Sequence, residues 1–434
     1  MKSKLKIIAL LLIVICPQKM LFSQYDWQKH AENPVIVFDE QQGLLGFSDP
    51  SLLFDGTLFH LWISGGGFIS GNPNSGVRVY YFTSADGISW MPFAANPVFR
   101  ENAPGTWDSG HIETPSVIFV GNEYRLYYVA TPDSAKENPE YLQLGLATSA
   151  DGTSWQRHAE NPLLRHGNAG EWDERWIESP CVVQTDSLYY MWYNGVDAEW
   201  KIHVGLATSA DGVHWQKHAQ NPVFSPLPES AWESAAVYAP QVRVMDNEFV
   251  MLYTGVVFNE TGYDFNNTHT GVAVSSDWIH WTRRQDEPVL SGTEGAWDSS
   301  GPFTLDWLKT DQELFMLYVS GGKCGAAFAQ NETKVNQKKS VMPRYSFMQN
   351  YPNPFNSSTL VSYSVSQAGN VDLAVYDLLG RIVKDFGRKY HLPGLYQIRW
   401  DATDQNGKQL AGGIYFCRLS SGEKVEIRRL VLVR

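Results

Sequence analysis

Three carboxylates stand just ahead of prolines that recur along the chain. Asp49 precedes Pro50, Glu113 stands two residues before Pro115, and Glu178 stands two before Pro180. The same two places before Pro240 hold Tyr238 and Ala239, and before Pro302 they hold Ser300 and Gly301. If these prolines mark one position of a repeat, Asp49, Glu113 and Glu178 meet at a common point. Gathering three acids raises at least one pKa by mutual repulsion. A protonated carboxylic acid beside an ionised one is what glycosidic-bond cleavage needs: one group protonates the leaving oxygen, the other activates water or attacks carbon. Five equivalent packing sites would be filled by five similar residues, and these are not. The structural alternative is that the acids cap strand N–H groups or hold an axial cation. Trp62, Trp176, Tyr238 and His111 lie on the same stretches and could face a sugar, with Ser300 as a polar contact. Trp176, two residues before Glu178, falls on the same strand face.

The elements that would position these groups follow from internal repetition. A turn with Ser, Asp, Gly and Trp at fixed spacing occurs at Ser84, Asp86, Gly87 and Trp90. It recurs at Ser149 to Trp155 and at Ser209 to Trp215, with a degraded copy at Ser275 to Trp281. Each is followed by a proline step at Pro97, Pro162, Pro222 or Pro288, then by Trp107 and Asp108, Trp172 and Asp173, Trp232 and Glu233, or Trp297 and Asp298. The strand-opening prolines Pro50, Pro115, Pro180, Pro240 and Pro302 are 65, 65, 60 and 62 residues apart. That period, filled with short apolar or alternating runs, predicts a five-bladed β-propeller. The fifth repeat lacks its last strand, and residues 27–35 copy residues 155–163. The N-terminal strand is therefore expected to complete the last blade and leave no open edge. In the repeated turn, Asp is expected to accept backbone N–H groups, Gly to supply φ > 0, and Trp to pack between sheets. The Trp–acid pairs read as loop anchors.

The expected fold is all-β: a five-bladed propeller over residues 25–330, a linker over 331–344, and a small immunoglobulin-like β-sandwich over 345–434. Aromatics at 13% against 18% charged residues exclude a disordered chain. Residues 1–24 carry four Lys and no acid, with an apolar run over residues 7–15 too short to span a bilayer. They read as a signal peptide cut ahead of Gln24. Residues 345–434 hold 11 basic and seven acidic residues, which leaves 19 basic and 39 acidic residues between the ends. A body at net −20 is a poor partner for nucleic acid or an anionic membrane, and favours a neutral glycan. Cys181, Cys324 and Cys417 match no zinc spacing and read as buried free thiols. No membrane span is expected in the mature chain, and its expected working form is a monomer.

At Ser48, Asp49, Pro50 and Ser51, at Ile177, Glu178, Ser179 and Pro180, and in the repeated turn, the chain resembles the five-bladed glycoside hydrolases. That clan contains arabinanases, β-xylosidases, invertases and levanases. The resemblance covers roughly residues 25–329. It implies Asp49 as base or nucleophile and Glu178 as acid, with Glu113 as rival. It also implies an optional axial calcium near His269, whereas no motif demands a cofactor or metal. The chain departs from the pattern where Thr114 or Ser179 replaces a third Asp before a proline, and at Tyr238, Ala239 and Pro240. Related propeller phosphorylases act on mannosides; a secreted protein meets little phosphate, which ranks phosphorolysis low. Asn350 to Asn356, Val375 to Arg381, Trp400, Asp401 and Gly412 to Phe416 resemble the type A sorting domain of the type IX secretion system. That implies export across the outer membrane and contact with the secretion machinery. The expectation is a secreted or cell-surface glycosidase acting on an oligo- or polysaccharide. The alternatives are a non-catalytic glycan-binding propeller and, last, a sialidase-like enzyme, which would need an arginine triad and typically six blades.

Overall fold

The computed structural model describes residues 25–38, 45–67, 76–135, 141–185, 188–245, 248–310, 313–330, 345–347, 353–365, 369–391, 394–421 and 424–433. The expected signal peptide and linker lie outside these residues.

The first unit holds three four-stranded antiparallel sheets and one nine-stranded sheet, in which a single parallel pair, Ile202 with Ala236, joins two antiparallel blades, giving five blades in all. Their innermost strands are Gly46–Phe54 (blade 1), His111–Val120 (blade 2), Ile177–Gln184 (blade 3), Ala236–Met245 (blade 4) and Thr304–Lys309 (blade 5). Each inner strand touches its neighbours on both sides, and blade 5 touches blade 1, so the ring is closed. The outermost strand of blade 5 is Gln28–Lys29, paired with Lys323–Gln330. The second strand of each blade is buried on both faces because it is pressed between two sheets. It therefore reads as a continuous apolar run instead of alternating: Leu61, Trp62 and Ile63 are fully buried, as are Met191, Trp192 and Tyr193.

The repeated residues tie strands and blades together. In the turn after the third strand, Asp86 Oδ1 accepts from the N–H groups of Ile88 and Ser89 and from Ser84 Oγ. Asp151, Asp211 and Asp277 do the same. Asn96 Oδ1 accepts from Tyr81 N–H and Asn96 Nδ2 donates to Tyr81 C=O, so one side chain mimics a strand partner. Asn161, Asn221 and Asn33 repeat this at Leu146, Leu206 and Ala326. The Trp–acid pairs are anchors of one design. Buried Asp108, Asp173, Glu233 and Asp298 each accept from a second-strand tyrosine (Tyr128, Tyr193, Tyr253, Tyr318). Each is also neutralised by a fourth-strand cation: Arg157, Lys217, Arg283 or Lys29. Lys29 reaches Asp298 at 2.6 Å and so fastens the N-terminal strand to blade 5.

Trp62 does not face the channel. It is 0% exposed, and its Nε1 donates to Gly152 C=O in the turn of blade 2 at 2.7 Å. Tyr127 makes the equivalent bond to Gly212 in the next blade. Side chains alternate along a strand, and this position points into the gap between blades, so the substrate-facing expectation for Trp62 is corrected.

The second unit holds two sheets, one of three strands and one of four. Val361, Tyr363, Leu373, Val375, Trp400, Cys417 and Leu419 are buried among its core residues. Cys181, Cys324 and Cys417 are buried free thiols. No helix among the described residues is long and apolar enough to cross a membrane.

Candidate active site

The site is built by a bulge. In blades 1 to 4 the register between the first and second strands slips at the repeated proline. Proline has no N–H to pair, so it suits the slip. The residue before it adopts a left-handed backbone: Asp49 at φ 51°, Thr114 at 48°, Ser179 at 50° and Ala239 at 48°. Side-chain residues rarely accept this conformation, and neighbouring blades hold it in place. Asp49 N–H donates to Thr304 Oγ1, Thr114 N–H to Ser64 Oγ, and Ala239 N–H to Asn194 Oδ1. One step deeper, Val117 N–H is bound by Ser51, Val182 N–H by Ser116, and Leu52 N–H by Asp306 of blade 5. Asp306 is itself paired with Arg243 at 2.5 Å.

Blade 5 has no bulge. Thr304 pairs with Val319 and Leu305 with Tyr318 without a slip. Leu305 therefore stands where the other blades have their proline, and Pro302 lies ahead of the strand. The place expected for Ser300 belongs to Thr304. Ser300 sits on the preceding loop, where its carbonyl accepts from Thr268 N–H and Oγ. The shift has a simple cause: without a bulge, the proline is not needed inside the strand.

Asp49, Glu113 and Glu178 come together closely enough to interact. The carboxyl of Asp49 is pushed up from 3.8 to about 7, first by burial and then by the charge of Glu113, against the Ser48 and Ser64 hydroxyls. Glu178 is pushed up from 4.5 to about 7, mainly by burial, with Glu113 and Asp49 adding repulsion. Two donors oppose that rise: Trp176 Nε1–H reaches Glu178 Oε1 at 2.8 Å and Tyr238 O–H reaches Oε2 at 3.1 Å. Burial, then the charge on Glu178, holds the Tyr238 hydroxyl well above its ordinary range, so it remains a neutral donor. Glu113 Oε1 lies 3.1 Å from His111 Nε2. The expected residues Asp49, Glu113, Glu178, Trp176, Tyr238 and His111 thus form one connected group. Among the described residues, no three His, Cys, Asp or Glu side chains are gathered so as to hold a metal ion.

Sequence reasoning missed several aromatics around Glu178. Phe303 stacks on Tyr238 with centroids 5.6 Å apart, and Phe265 lies 6.3 Å from Tyr238. Tyr263 ends, and Phe265 follows, a short hairpin of Phe258–Asn259 with Gly262–Tyr263, inserted between the second and third strands of blade 4. Trp200, in the corresponding loop of blade 3, meets Trp176 at 5.7 Å. These residues repeat in no other blade, so no internal comparison could point to them.

Comparison with known proteins agrees with this architecture. Residues 349–433 match the secretion system C-terminal sorting domain, and residues 196–287 match a family described as beta-1,4-mannooligosaccharide phosphorylase. A 1,2-beta-oligomannan phosphorylase of Thermoanaerobacter is 24% identical over 258 residues, covering 47% of this chain and 83% of that protein. An uncharacterized Mycobacterium tuberculosis protein is 27% identical over 175 residues, and the match spans 40% of this chain and 56% of that protein. A glycosyl hydrolase from Bacteroides ovatus has TM-score 0.56 at 18% identity, covering 71% of this chain and 95% of the other. A structure from a study of mannoside phosphorylases and of glycoside hydrolases that target β-1,2 mannosidic linkages in Candida mannan has TM-score 0.55 at 18% identity, covering 74% and 97%. The propeller has the fold of these glycoside-active proteins. The C-terminal unit is a type IX sorting domain, which directs the chain to the cell surface or beyond.

Proposed function

Because this chain joins a glycosidase-type propeller to an export domain, we propose that it is an extracellular glycoside hydrolase that cleaves β-mannosidic bonds. The observation that carries the reading is the cluster of Asp49, Glu113 and Glu178, with two carboxyls pushed up to about 7. In this reading Glu178 enters protonated and gives its proton to the leaving oxygen. Asp49, or Glu113 through it, activates water against the anomeric carbon. Such a proton transfer is worth about 10²–10⁴ in rate. Trp176 and Tyr238 fix the rotamer of Glu178, and His111 orients Glu113. The β-mannoside class is supported by the similarity to the 1,2-beta-oligomannan phosphorylase of Thermoanaerobacter and to the structure from the study of β-1,2 mannosidic linkages.

Phosphorolysis is the second reading, favoured by the match over residues 196–287. An inverting phosphorylase needs only the acid, because phosphate itself attacks, and it must gather cations for a dianion. Here three acids crowd the site, and the nearby Arg175 guanidinium is already engaged by the carbonyls of Asp197 and Ala198. That favours water as the nucleophile. The test is to incubate the protein with β-1,2- and β-1,4-mannobiose, with and without inorganic phosphate. Mannose as product at equal rates in both supports hydrolysis. Mannose 1-phosphate, formed only with phosphate, overturns it in favour of phosphorolysis.

A further inference from the structure

A wall of aromatic side chains stands over Glu178, and its outer members are neither core nor accounted for by the proton transfer. Trp200 is 46% exposed and Phe265 39% exposed. Both sit on loops between second and third strands, the loops that rise at the channel mouth beside the starts of the inner strands. An exposed tryptophan on a loop would ordinarily be mobile, and this one is fixed on several sides. Its backbone is left-handed at φ 63°, a strained conformation for a bulky residue. Asp197 Oδ1 binds the N–H groups of Glu199 and Lys201 on either side of it. Tyr263 O–H of blade 4 donates to Trp200 C=O, bridging the two loops. The Arg175 guanidinium lies 3.9 Å from the ring centroid and is itself bound to the carbonyls of Asp197 and Ala198.

The wall is continuous with the acid. Trp176 touches both Trp200 and Glu178, while Tyr238 touches Glu178, Phe303 and Phe265. Phe265 closes the circuit to Tyr263 at 5.5 Å. Burial raises the Tyr263 hydroxyl, and the charge of Glu178 adds to the rise. Apart from Phe303, which stands ahead of the blade 5 inner strand, the wall lies on blades 3 and 4, whereas Asp49 and Glu113 enter from blades 1 and 2.

We propose that Trp200 and Phe265 form the leaving-group subsite of the hydrolase, stacking the neutral pyranose ring whose oxygen Glu178 protonates. This rests on the hydrolase reading. The side is set by position: the group that protonates the bridging oxygen lies between the two sugars, and the wall lies beyond it, away from Asp49. The ring type follows from chemistry. Aromatic faces accept the C–H face of a pyranose, and the acid cluster of Asp49, Glu113 and Glu178 disfavours an anionic ring beside it. Arg175 and Trp176 contact the Trp200 ring, and the residue remains 46% exposed to receive the sugar.

The test is steady-state hydrolysis of β-1,2- and β-1,4-mannotriose by the full secreted chain and by Trp200→Ala, Phe265→Ala and Trp200→Phe. Loss of a stacking ring should raise KM about tenfold in each alanine variant, with little change in kcat, because binding is lost equally in ground and transition states. Trp200→Phe should recover most of the loss. Thermal midpoints should fall by no more than a few degrees, since both residues are only partly buried, at 46% and 39% exposure. Wild-type KM in both alanine variants, with turnover intact, overturns the subsite alone. So does an equal loss in Trp200→Phe and Trp200→Ala, which would assign the effect to the loop and not the ring. Absence of hydrolysis of both trisaccharides by the wild type overturns the hydrolase reading and the subsite with it.

Discussion

Replacing Asp49 with Asn should make the folded protein more stable at alkaline pH, and the size of the effect can be worked from the site. The Asp49 carboxyl rises from 3.8 to about 7 on folding. A folded-state value above the unfolded one means that the native protein binds the extra proton between those limits. Stability is therefore fully present below about pH 4 and is lost as pH rises through 7. Each pH unit across that window is about 1.4 kcal/mol for an isolated group, so Asp49 alone would account for roughly 4 kcal/mol. Three acids share the repulsion, and protons leave the cluster jointly, so about 2 kcal/mol is the working figure. That corresponds to a midpoint change of roughly 4 °C. The assay is thermal unfolding of wild type and Asp49→Asn at pH 5 and pH 8.5. At pH 5 the difference should be about a third of that at pH 8.5, because roughly one pH unit of the three-unit window has been crossed. At pH 8.5 the variant should melt about 4 °C higher while its hydrolysis of mannosides disappears. A variant that melts lower than wild type at pH 8.5, or that keeps the full wild-type dependence on pH, would refute the idea that burial and the neighbouring charge of Glu113 hold the Asp49 carboxyl protonated in the folded state.

Glu178→Gln should lower kcat about 10²–10⁴-fold while leaving mannotriose binding intact by calorimetry; retained turnover would move the acid role to Glu113. The wild-type rate should follow a bell-shaped pH profile centred near neutrality, since one carboxyl must be protonated and another ionised, and a rate rising monotonically to pH 9 would contradict that pairing. Lys29→Ala strips the cation from Asp298, which is only 3% exposed, and should cost about 3 kcal/mol in chemical denaturation; a loss below about 0.5 kcal/mol would mean that the N-terminal strand does not fasten the ring. Removal of residues 349–433 should leave hydrolysis of mannobiose unchanged in the purified protein and stop its appearance outside the cell, as followed by immunoblot of culture fractions.

Residue spacing alone determined most of the architecture. The recurring turn, Asn-Pro step and Trp–acid pair are short-range or repeated devices, so each copy reports the same local physics and five copies average out the noise. The closing role of residues 27–35 was legible for that reason: Lys29, Gln28 and Asn33 make the same bonds as their counterparts in the other blades. The convergence of Asp49, Glu113 and Glu178 was legible too, because all three are indexed to a proline that marks a bulge. Where that index slipped, the reading failed. Blade 5 has no bulge, so Pro302 marked the loop, and Ser300 was read into a place that the strand ladder gives to Thr304. Trp62 was read as facing the channel because sequence gives the alternation of a strand but not which face is which; the packing of blade 1 against the Gly152 turn decided it. Trp200, Tyr263, Phe265 and Phe303 lie in loops unique to their blades, and their meeting around Glu178 depends on how two neighbouring loops fold over the channel. Only the tertiary structure brings such long-range neighbours together, because no repeat, spacing or local propensity encodes a contact made once.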